Sequence, residues 1–81
     1  MRDIKLEYEI IKECRKDLSR FDGMNEHEVY DWICNRFGCD NYLEIKVASL
    51  KVFVMAHDSY NFDWEMMQKY YLENIKIMDK I

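Results

Sequence analysis

The sequence predicts an all-α fold, a compact four-helix domain with a central apolar helix three. Three observations lead there. The chain of 81 residues has no Pro and no Thr, and its only glycines are Gly23 and Gly38. Apolar residues recur at spacings of three and four over long stretches, the period of an amphipathic helix. A helix-start pattern follows each glycine, Asn25 with Glu28 and Asn41 with Glu44, the spacing of a capping box. At this length the chain reads as a single helical domain, 1–81, with a small core.

Helix one is predicted from about Asp3 to Arg20. Ile4, Tyr8, Ile11, Cys14, Leu18 and Phe21 form its apolar stripe. The opposite face carries Lys5, Glu9, Lys12, Glu13, Lys16, Asp17 and Arg20, and Glu9–Lys12, Glu13–Lys16 and Asp17–Arg20 are acid-first i,i+3 pairs,. Gly23 then stops the helix. Helix two starts at the N-cap Asn25, with Met24 and Val29 placed as a hydrophobic staple,. It ends at Phe37 before Gly38, which puts Cys34 and Cys39 at the two contacting positions of a Schellman ending,.

Helix three is predicted over Tyr42 to about Ala56. Leu43, Val47, Leu50 and Val54 make a stripe, while Ile45, Val52, Phe53 and Met55 make the segment apolar nearly all round, as befits a helix at the centre of a fold. The rival is a strand, since Val and Phe are frequent and Leu43, Ile45 and Val47 alternate with charges,. No Gly or Asn interrupts the run where a hairpin would need one,, which favours the helix. Caps in the linker 57–61 lead to helix four, from about Phe62 to Lys80. Its main stripe is Trp64, Met67, Tyr71, Ile75 and Met78, with a second stripe of Met66, Tyr70 and Ile77,.

Composition narrows the function. No secretory signal or membrane-span pattern is read from the sequence. Three cysteines without framework spacing suit a reducing, cytoplasmic location. Net charge is −4, and the imbalance is concentrated in residues 21–41, where Asp22, Glu26, Glu28, Asp31 and Asp40 oppose Arg36 alone. Abundant Lys, Ile, Asn and Tyr with scarce Ala, Gly and Pro point to an AT-rich genome, because folding physics favours Ala in helices. Bacteria of that type, with their phages and plasmids, are the expected source.

Sites for chemistry are sparse. Cys34 and Cys39, with Cys14 or His27, lack the paired short spacings of structural zinc, so sulfur packing is preferred and no metal or cofactor is expected. His27 and Asp31 read as a solvated i,i+4 pair. Ser19, Ser49 and Ser59 have no nucleophile motif around them,, and no phosphate-binding loop is present. No enzyme activity is therefore expected. The bases Lys12, Arg15, Lys16 and Arg20 are interleaved with Glu13 and Asp17, whereas phosphate binding needs unopposed bases.

The expected partner-binding residues are acidic and aromatic. A wheel with Val29, Ile33 and Phe37 inward turns Glu28, Asp31 and Asn35 outward, with Trp32 on the flank beside them. Asp63 and Glu65 lie among the aromatics at the start of helix four, and Met66, Tyr70 and Ile77 exceed what one core contact needs. The functional expectation is a small non-catalytic protein-binding inhibitor or regulator, encoded by a phage or mobile element. Its target would be a larger protein or nucleoprotein complex with a basic surface, such as a host nucleic-acid-processing or defence complex, in an anti-CRISPR-like manner. A homodimer through helix four is a further expectation, and no membrane partner is expected. The alternative is a small dimeric helical nucleic-acid-associated regulator using the basic face of helix one.

Overall fold

The computed structural model describes residues 2–80. Its elements are α1 (Ile4–Arg15), a short 3-10 helix (Leu18–Phe21), α2 (Glu26–Phe37), α3 (Tyr42–His57) and α4 (Trp64–Asp79). The fold is all-α, and residues 42–57 are helix rather than strand. α3 packs on α1, α2 and the 3-10 helix, and α4 packs on α1. The body is thin, with Cα extents of 40 × 30 × 16 Å, hardly two layers of helices spaced 8–10 Å apart. No helix among the described residues is long and apolar enough to cross a membrane.

The first helix ends earlier than its periodicity predicts. It stops at Arg15, and Asp17 leaves helical geometry at φ −144, ψ 66. The tighter 3-10 turn that follows brings Phe21 into the core, where it is fully buried. Asp3 caps α1, its side chain accepting a hydrogen bond from the Leu6 N–H at 3.1 Å.

α2 begins with the predicted capping box. Asn25 Oδ1 accepts from the Glu28 N–H at 2.8 Å, and Glu28 Oε1 accepts from the Asn25 N–H at 3.0 Å. Its end differs from a Schellman motif. Gly38 has φ 89 and ψ 151, and its N–H bonds to the Cys34 carbonyl at 2.8 Å. That is the single-bond ending, in a backbone region that is essentially glycine-only.

α3 departs from expectation at two places. Asn41 makes no side-chain cap, and Glu44 is not drawn back to it. Glu44 instead accepts the N–H of Asp3, 41 residues away, at 3.2 Å, so a tertiary bond replaces the local one. The buried side of α3 is also not its Leu–Val stripe. Ile45, Ala48, Ser49, Val52 and Met55 face the core, with Glu44 beside them, whereas Leu43, Leu50 and Val54 are exposed and Val47 is half-buried. Ala48 and Ser49 are small enough to admit close neighbours, and the Ser49 hydroxyl is satisfied by the Lys46 carbonyl at 2.8 Å. The core itself joins Tyr8, Ile10, Ile11, Cys14, Phe21, Val29, Ile33, Val52 and Tyr71 from all four helices and the 3-10 turn.

Candidate interaction surfaces

The outer side of α2 carries the first surface. Glu28, Asp31 and Asn35 are all exposed, as the helical wheel requires once Val29 and Ile33 are buried,; Glu26, exposed in the first turn, lies on the α3 side and borders a groove with Tyr42 and Leu50. Two of these acids have local roles. Glu28 belongs to the capping box, and Asp31 lies 3.2 Å from His27 Nε2 in an exposed i,i+4 pair. Trp32 is half-buried on the flank. Its ring meets Phe21 edge to face, with centroids 5.2 Å apart, and the Arg20 guanidinium carbon lies 5.1 Å from its centroid. The indole is therefore held sideways against the 3-10 turn.

Asp63 and Glu65 occupy a different place. Asp63 is the N-cap of α4, accepting the Met66 N–H at 2.9 Å. Glu65 borders an open groove with Arg15, Tyr60 and Trp64, where the Arg15 guanidinium carbon stacks 4.3 Å from the Trp64 centroid. No ion pair or hydrogen bond among the described residues joins this group to the acids of α2. Met66, Tyr70 and Ile77 are exposed together along α4.

The basic side of α1 is largely neutralised. Lys12 pairs with Glu9 at 2.9 Å, Lys16 with Glu13 at 2.8 Å and Arg20 with Asp17 at 3.3 Å. The hydrogen bond that Lys12 donates to Glu9 raises the Lys12 pKa, and the one that Lys16 donates to Glu13 lowers the Glu13 pKa.

Among the described residues no three His, Cys, Asp or Glu side chains come together as metal ligands. The Cys34 sulfur lies within hydrogen-bonding reach of both the Tyr30 hydroxyl and the Cys39 thiol, which pushes Tyr30 up to about 12 and raises Cys39 as well. Burial pushes the Cys14 thiol up to about 12. All three thiols are free.

A buried polar cluster went unread in the sequence. Glu7 has no exposed surface. One carboxylate oxygen accepts the Tyr71 hydroxyl, which in turn accepts Lys51 Nζ at 2.7 Å. The other lies 2.9 Å from Arg2 Nε, a close charge contact whose N–H is not aligned for a hydrogen bond. Tyr8 stacks on Tyr71 with centroids 5.3 Å apart. Burial first, and then the bond to Glu7, raises the Tyr71 pKa, while burial lowers that of Lys51. Glu7 falls within the apolar stripe, three residues after Ile4 and four before Ile11. That placement was the available signal.

The chain matches no family model, no curated protein and no solved structure. The functional reading therefore rests on these surfaces.

Proposed function

We propose that the chain acts without catalysis, by binding a larger protein or nucleoprotein complex that presents a basic surface. The observation that carries this reading is the outer side of α2. Glu28, Asp31 and Asn35 are exposed there on one side of a single helix, beside an indole packed against Phe21 and Arg20. Folding needs the hydrogen bond of Glu28 but not its charge, since Gln also serves in a capping box. The pair of Asp31 with His27 is solvent-exposed and contributes little stability. The surplus negative potential would steer encounter with a basic target, and Trp32 supplies an aromatic of the kind that anchors interfaces.

The AT-rich residue usage supports a phage or mobile element as the source. A host nucleic-acid-processing or defence complex, whose channel is built for a polyanion, is the target that fits an acidic helix. The basic face of α1 gives the nucleic-acid reading less support, because Lys12, Lys16 and Arg20 each already face an acid. Met66, Tyr70 and Ile77, exposed on α4, support contact with a further chain.

The test compares two baits in a lysate of AT-rich bacteria, the parent and Glu28→Gln with Asp31→Asn. Both baits should melt at the same temperature. A partner held by the parent should associate with the neutralised bait about tenfold more slowly at low salt. A partner retained equally by both, with equal association rates, would remove the acidic face from consideration.

A further inference from the structure

The exposed side of α3 has the spacing of a helix-pairing seam. Leu43, Val47, Leu50 and Val54 follow one another at intervals of four, three and four, with Leu at the d-type and Val at the a-type positions of a heptad. Among the described residues Leu43, Leu50 and Val54 remain 55%, 43% and 42% exposed. Lys51 extends this side towards α4. Its ammonium lies 4.4 Å from the Tyr71 centroid and 5.4 Å from that of Tyr70, so it folds inward and leaves the α3 seam beside Tyr70, Met66 and Ile77.

We infer that this α3–α4 face binds a second copy of the same chain, its α3 seam packed antiparallel on its own equivalent. The surface approaches the size such a pairing needs. Leu43, Leu50, Val54, Met66, Tyr70 and Ile77 are each between 42% and 68% exposed. Together they offer on the order of 600 Å², against the ~800 Å² per partner of a standard-size interface. That stands at the top of the ~300–600 Å² range of the largest apolar patches on single soluble chains, which often bind a partner. The seam is also self-complementary. A two-fold axis between Val47 and Leu50 sets Val47 against Leu50 and Leu43 against Val54 of the second copy.

The stripe of α4 selects the direction. Lys46 and Lys51 flank the seam on opposite sides, at g- and e-type positions, and α4 lies on the Lys51 side. A parallel pairing would set the Lys46 side of each copy against the Lys51 side of the other and keep the two α4 stripes apart. The antiparallel pairing sets the two Lys51 sides together, so that Tyr70 and its neighbours on the two α4 helices can also meet. The acidic outer side of α2 is not part of this face, so a dimer would present two copies of it, and this inference stands or falls independently of the proposed target.

Sedimentation equilibrium of the full chain tests it. The parent should show twice the chain mass at tens of micromolar, and Leu50→Glu with Val54→Glu should raise the dissociation constant at least a hundredfold while leaving the helical circular dichroism intact. Parent protein that stays monomeric up to about a millimolar, or a double variant that still dimerises with parental affinity, would overturn the proposal. Lys46→Glu reads the direction. It should leave the dissociation constant within about twofold, whereas a tenfold tightening would overturn the antiparallel arrangement in favour of Glu–Lys attraction in a parallel one.

Discussion

Tyr71 donates its hydroxyl hydrogen to the carboxylate of Glu7, 64 residues earlier in the chain. The bond ties α4 to α1 inside the core, and Lys51 brings α3 into the same cluster. A buried carboxylate is tolerated only when paired and hydrogen-bonded, and here the neighbouring Arg2 and Lys51 supply the positive charge.

Removing one member should therefore be more damaging than removing two. Glu7→Ala leaves the Tyr71 hydroxyl without its acceptor, empties core volume and separates two cations from their anion. Urea unfolding should show a loss of about 3–5 kcal/mol. Glu7→Leu with Tyr71→Phe replaces both polar partners by apolar groups and should recover most of that loss. Arg2 and Lys51 can turn to water in that variant, since both are partly exposed. A double variant as unstable as Glu7→Ala would show that the cluster is not the source of the effect.

Stability should fall on the alkaline side. Cys14 keeps its proton to about pH 12 when folded, while an unfolded thiol releases it near 9.0. Above pH 9 the unfolded state binds fewer protons, so the free energy of unfolding decreases with pH. Tyr71 adds a second loss above its ordinary value of 10.0. Lys51 opposes both, since its lowered pKa makes folding more favourable as pH rises towards 10.5. In a Cys39→Ala background, which removes the other raised thiol, thermal melts should begin to drop near pH 9, and those with Cys14→Ala added nearer pH 10. An unchanged onset in the variant would contradict the burial of that thiol.

Helix ends offer a contrast between positions that look alike in the sequence. Asp63→Ala removes a cap that is made and should cost about 1 kcal/mol. Asn41→Ala removes a side chain that caps nothing and should cost under about 0.5 kcal/mol. Gly38→Ala meets no atom within 4 Å of the added Cβ, so its loss is backbone strain alone, about 1–3 kcal/mol. Melting temperatures of the three variants should rank Asn41→Ala highest.

What was legible in the sequence was what neighbouring residues decide among themselves. The capping box of α2, the stripe of Met67 and Tyr71 on α4 and the outward turn of Glu28 and Asp31 depend on helix geometry alone. What was not legible depended on distant parts of the chain. Glu44 has the right spacing to cap its own helix, yet it serves the Asp3 N–H. α3 is apolar on so many sides that periodicity could not say which one faces inward, and Ala48 with Ser49, rather than the larger Leu–Val stripe, lies on the packed side. The wheel puts Trp32 on a flank without saying what it meets there, and Phe21 becomes its neighbour only because the 3-10 turn brings that ring alongside.

The helix made first packs against helices made later. α1 rests on α3 and α4, and its buried carboxylate waits for a tyrosine near the far end of the chain. On a ribosome adding ~5–20 residues per second, the interval between Glu7 and Tyr71 is on the order of several seconds. During that time Ile10 and Ile11 are synthesised, helical in pattern, and without their final cover. The nascent chain should then be a substrate for hydrophobe-binding chaperones until α3 can pack on α1, and a fragment of residues 2–41, which lacks α3 and α4, should leave α1 open to protease.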